Sequence, residues 1–245
     1  AYDGKDFHGL SSRLQMRLRE AELIIHLIRK GTPPEVKFNI FARINTGGMS
    51  LSAQELRHAI TPGKARSLLE NWAECNEFLE ATDRSVRSIR MDDRELVLRF
   101  IAFYMLGVET YLQPDMDGFL ITAMEAINAT DDVKLANVHE RFLRAMTTAT
   151  LIFGRDSFRK RYSNDAARLP INKAVFEALS VNLALLSEAE QAALVQRSEQ
   201  VREGFIRLCL DRSFEAAISQ GTGDIRKVNR RFKAIHEMLS MVAVD

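Results

Sequence analysis

The chain has 245 residues, with 34 lysines and arginines against 33 aspartates and glutamates and a formal net charge of +1. That length suffices for one large core or two smaller ones, and the balanced charge argues against a polycationic nucleic-acid coat. No run approaches the roughly 18 apolar residues of a membrane span, a signal-peptide layout is missing, and Cys75 and Cys209 stand far apart with no Cys/His cluster, which together predict a cytoplasmic protein with two packing thiols rather than a disulfide or zinc framework.

In chain order, Leu10, Leu14 and Leu18 predict a short helix. The run from Glu22 to Ile28 is short, rich in isoleucine and closed by Gly31 and Pro33, a pattern that reads as a strand. A lone strand needs a partner for its backbone groups. Together with the abrupt polar start from Ala1 to Asp6, this leads us to expect a fragment whose partner strands lie upstream. Pro33 and Pro34 suit a first helical turn, and Val36, Ile40, Phe41 and Ile44 share one face of the helix that follows. Thr46-Gly47-Gly48 ends it, and Ser52 with Glu55 three positions on forms a capping box that starts another. Thr61-Pro62-Gly63 breaks the chain again, and helical patterns follow at about 64–80, 92–107, 115–129, 131–153, 170–186, 188–210 and 224–243. The predicted fold is mainly α, a multi-helix bundle with one or two short N-terminal strands.

Two helices stand out. Ile225, Val228, Phe232, Ile235, Leu239 and Val242 form a stripe at alternating spacings of three and four, opposite Arg226, Lys227, Arg230, Arg231 and Lys233, which read most simply as a solvated basic face. Asp92–Leu106 is apolar around much of its circumference and is predicted to lie near the centre of the core. The acidic pairs Asp92-Asp93 and Asp131-Asp132 precede apolar helical runs, where carboxylates cap amides and complement the helix dipole.

Chemistry-bearing motifs are scarce. The histidines, His8, His26, His58, His139 and His236, never pair at the spacing that sets two ligands on one helix face. GxSxG, GxxxxGK[ST] and GxGxxG are absent. Asn45-Thr46-Gly47-Gly48 offers amides and a hydroxyl beside Arg43, either a phosphate cradle or a helix C-cap in which Asn45 orients Arg43. The segment Phe153–Tyr162 interleaves aromatics with Arg155, Arg159, Lys160 and Arg161. That pattern suits nucleic-acid contact or, with Phe153 and Phe158 as anchors, a core helix junction.

The run Phe41-Ala42-Arg43-Ile44-Asn45-Thr46-Gly47-Gly48, with Leu51 and Gln54-Glu55-Leu56-Arg57, resembles the GmrSD-type restriction endonuclease N-terminal domain family, whose members show an FxRxNxxGxxLxxxEL run. Arg94–Phe100, Phe153-Gly154 with Phe158-Arg159, and Pro170–Lys173 resemble later segments of its helical portion. The resemblance implies an upstream ParB-like fold with a DGQQR motif tied to nucleotide binding and hydrolysis, followed by a helical part. It also implies a role in defence against foreign DNA, beside a nuclease domain or subunit. DGQQR and an HNH-like constellation are absent here. The expectation is therefore residues 1–50 as a remnant of the ParB-like region and 51–245 as the helical bundle, with a nucleoside triphosphate and Mg2+ bound by the full-length protein and no catalysis by this chain alone. Carried over as nucleotide-site residues are Arg43, Asn45, Thr46, Gly47 and Gly48, and the alternative reading is a non-catalytic interaction or regulatory module.

Overall fold

The computed structural model describes residues 4, 6–22, 25, 27–29, 31–44 and 50–244, without the side chains of Pro34, Glu35, Ala42, Ile44 and Val244. The chain divides into two compact units, Ala1–Thr32 and Pro33–Asp245. In the first, Asp6 caps a short 3-10 turn at Phe7–Gly9, and α1 spans Ser12–Arg19. No residue of α1 is buried, and Met16 and Leu18 are more than half exposed. The strand predicted at 22–28 is not formed by Glu22, Ile25, Leu27 or Ile28, while Leu23, Ile24 and His26 lie outside the described residues. Ile25 and Leu27 are 82% and 85% exposed, and the described residues contain no strand with which they pair. An apolar run fixes no strand without such a partner.

The second unit is a helical bundle. It comprises α2 (Pro34–Ile44), α3 (Ala53–Ile60), α4 (Ala65–Ala73), α5 (Asn76–Ala81), α6 (Asp92–Leu106), α7 (Met116–Ala129), α8 (Asp132–Phe153), α9 (Lys173–Leu185), α10 (Glu188–Gln196), α11 (Ser198–Leu210), α12 (Arg212–Ser219) and α13 (Ile225–Val244). At its centre lie α6 and α9: Leu96–Leu98, Phe100–Phe103 and every residue from Ala174 to Ala184 are buried. Helices that are apolar all round can only be buried. Phe142 of α8 packs between Phe78, Phe100 and Trp72, and Phe176 of α9 meets Phe78 and Phe158. The predicted stripe on α13 faces this core through Val228, Phe232, Ile235 and Leu239. A smaller cluster, Phe38, Leu56 and Ile121, joins α2, α3 and α7.

Local chemistry explains most boundaries. Ser52 and Ser187 form capping boxes at α3 and α10, and Asp115, Asp131, Asn172 and Asp211 cap α7, α8, α9 and α12 with side-chain oxygens. The stretches 64–80 and 188–210, each predicted as one helix, are two apiece, and α12 was not foreseen. The second break has a clear cause. At Arg197 the chain leaves the helix, and its guanidinium donates to the carbonyls of Val242 (2.9 Å) and Ala243 (3.3 Å), orphan acceptors at the end of α13. At the turn before α4, Gly63 has φ +136°, and a Cβ there would sit 2.3 Å from Oδ1 of Asn128, which accepts from the amide of Ala65.

Candidate functional site

Arg43 is exposed in the last turn of α2, whereas Asn45, Thr46, Gly47 and Gly48 lie outside the described residues. The chain just beyond that turn is closely held. Ser52 Oγ accepts from the Glu55 amide and donates to the Arg90 carbonyl (2.8 Å), and Glu55 in turn accepts from the Ser52 amide (2.5 Å) and pairs with Arg90 Nε at 3.3 Å. The Arg90 guanidinium also donates to the Ser50 carbonyl. The start of α3 and the loop preceding α6 are thereby one hydrogen-bonded unit.

One turn further on, Arg57 begins a chain of ion pairs that crosses the bundle. Its Nη2 lies 3.2 Å from Glu95 of α6, its Nη1 donates to Asp117 of α7, and its Nε donates to Gln54 (2.8 Å). Arg99 bridges Glu95 (2.9 Å) and Glu177 of α9 (2.7 Å), and Glu177 also accepts from Arg231 of α13. Lys173 joins Glu95 (3.1 Å) to Asp92 (3.0 Å). Arg57, Glu177 and Arg231 are essentially without solvent contact. Arg231 therefore corrects the reading of that helix face as solvated: it turns inward and also donates to the carbonyls of Thr222 (2.7 Å) and Ala217 (3.3 Å).

Charge balance makes this burial tolerable. Burial opposes ionisation of Glu95, yet Arg99, Lys173 and Arg57 outweigh it and hold the carboxyl at about 2. Burial likewise works against the Arg99 cation, but Glu177 and Glu95 prevail and raise its pKa. At the outer end the balance tips the other way, since desolvation lowers Arg57 and raises Asp117. Gln54 Nε2 is a buried donor without a hydrogen-bond partner among the described residues. Such a donor costs about 1–3 kcal/mol and marks a place that a water or ligand oxygen would relieve.

Beside this network, Ser85, Val86, Arg87, Asp92, Leu96, Pro170, Ile171 and Lys173 line an open cleft of about 350 Å3. Among the described residues, the non-glycine residues with left-handed backbone are Asp83, Arg84, Met91 and Phe158. Three of them flank the loop that forms one cleft wall, and Phe158 precedes Arg159, which braces it. Such conformations cost on the order of 1 kcal/mol each and persist only where the surroundings impose them. Arg159 supplies that constraint: its guanidinium donates to the carbonyls of Leu169 (2.6 Å), Arg155 (3.1 Å) and Thr82 (3.3 Å) and to Ser85 Oγ (2.6 Å).

The four basic residues read as candidate nucleic-acid contacts thus have different surroundings. Arg159 is buried and its donors are spent inside the fold. Lys160 lies 3.4 Å from Glu215, and Arg161 donates to the carbonyls of Asn164 (2.6 Å) and Ala166 (2.9 Å). Arg155 alone of the four is strongly exposed, 3.4 Å from Asp83, whose carboxyl its hydrogen bond and that of Arg168 hold below the usual range. Phe153 and Phe158 are buried and anchor the junction after α8. No three His, Cys, Asp or Glu side chains converge on a metal position among the described residues.

No family model matches the sequence, and neither a curated relative nor a solved structure matches it significantly. The ion-pair chain was not foreseen as a unit, because its members are spread from Arg57 to Arg231. A signal did exist: Glu95 and Arg99 stand four apart among the apolar residues of α6, and Lys173 and Glu177 likewise in α9, and charges at such positions must meet partners in the core.

Proposed function

We propose that this chain is the helical portion of a nucleotide-dependent DNA-defence protein of the restriction type, and that its task is to hold the segment Phe41–Leu56 in place beside the nucleotide. The reading rests on the resemblance of that segment and on one observation: Arg57, at its end, is ion-paired to α6 and α7, and Glu95, Arg99, Glu177 and Arg231 carry the chain of pairs on to α9 and α13. Anchorage of α3 through Arg57 suits a site wall or a coupling element between nucleotide and DNA. The unpartnered donor of Gln54 lies on the same helix. The nucleotide phosphates are assigned to Arg43 and the turn Asn45–Gly48, and no chemical step is assigned to any residue described.

Titration of the natural protein that carries this chain with ATP and GTP in the presence of Mg2+ tests the proposal, with Asn45→Ala and Arg57→Lys variants alongside. Weakened nucleotide affinity in both is expected; unchanged affinity and turnover in both would remove the segment from the site. A non-catalytic interaction module is the second reading, favoured by the exposure of Ile25 and Leu27 in the first unit. It predicts a stable partner complex that nucleotide does not alter.

A further inference from the structure

We infer that the loop between α5 and α6, together with Arg155, is a contact surface for the phosphate backbone of duplex DNA. The inference rests on the DNA part of the proposed function and adds a location that the signature segment does not supply. Arg84 and Arg87 lie on this loop, are exposed, and take no side-chain hydrogen bond or ion pair among the described residues. Arg155 lies beside them, its exposed guanidinium positioned by Asp83, which also pairs with Arg168. Arg87 and Lys173 both line the cleft, where Lys173 is paired with Asp92 and Glu95. Arg84 and Arg87 are thus exposed cations on one loop, with the exposed Arg155 joined to it through Asp83.

The loop is also rigid for its length. Left-handed residues bracket it at Asp83, Arg84 and Met91, Arg159 grips it through Thr82 and Ser85, and Ser52 and Glu55 hold Arg90. The backbone that carries the two arginines is thus held in place, and arginine presents a planar fork suited to phosphates. Between the arginines and the anchored Arg90 stands Ile89, 84% exposed. An apolar side chain amid cations suits a groove edge, where sugars and base edges lie between two rows of phosphates.

The test is fluorescence anisotropy of a labelled DNA duplex with the 245-residue chain over a salt series. Arg84→Ala/Arg87→Ala removes no internal contact, so it should fold as the native chain does, which its melting temperature checks. Its affinity should fall roughly tenfold, and the slope of log K against log salt should shrink by about 0.9 for each arginine that meets a phosphate. Arg226→Ala/Lys233→Ala on α13 makes the same change in net charge and should leave both readings near native. Equal losses in the two variants, or none in either, would overturn the surface while leaving DNA binding intact. A native chain that binds no duplex overturns the surface and the DNA reading together, and binding to phosphatidylserine vesicles in place of DNA assigns the loop to a membrane and overturns it as well.

Discussion

Glu177 sits between Arg99 and Arg231 with no exposed surface, on the helix that forms the centre of the bundle. Two cations taken from water have only this carboxylate and a few carbonyls and acids in exchange, so its removal leaves buried charge uncompensated. Loss of one partner from such a pair costs about 3–5 kcal/mol, far above the contribution of an exposed pair. Glu177→Ala should therefore lower stability by about that amount in urea titration. A loss under about 1 kcal/mol would show that water reaches Arg99 and Arg231 and that the chain of pairs is not a buried unit. From sequence alone Arg231 reads as one of several basic residues on a solvated face. Its inward direction follows only from the packing of α13 on α9.

At the scale of elements, α3 is a short helix whose start is fixed by side chains. Its capping box satisfies two orphan amide groups, and Ser52 Oγ also reaches the Arg90 carbonyl. Ser52→Ala should cost about 1–2 kcal/mol, seen as a fall in Tm of roughly 2–8 °C. Faster amide hydrogen exchange should appear at Glu55 and spread into the loop before α6. Faster exchange in α3 alone would show that the two segments are independent. The capping box was legible in the sequence because its donors and acceptors are three residues apart. The separation of α10 from α11 was not, since the guanidinium of Arg197 finds its acceptors at the far end of α13.

The whole molecule carries an acid-sensitive element in its ion pairs. The folded-state pKa of Glu95 is about 2 against an ordinary 4.5, so its contribution is complete above pH 4.5 and disappears as pH falls through about 2. That difference corresponds to on the order of 3 kcal/mol. Asp93 and Asp117 act with the opposite sign: burial raises both, so they subtract stability near neutrality and their protonation relieves the cost. The urea midpoint of the native chain should fall steeply between about pH 4.5 and pH 2, and Glu95→Gln should flatten that descent while starting from a lower midpoint. An identical pH profile in the variant would place the acid response elsewhere.

The sequence by itself determined that the chain is mainly helical, where most helices begin, that α6 is central though not that α9 lies beside it, and that no described helix is long and apolar enough to cross a membrane. Those properties depend on periodicity and on residues within one turn of each other. Tertiary structure alone decided that Arg57, Glu95, Arg99, Glu177 and Arg231 form one line through the core, and that Arg159 braces the loop carrying Arg84 and Arg87. The physical reason is range: caps and stripes are satisfied locally, whereas a buried charge takes its partner from whichever helix the packing brings alongside.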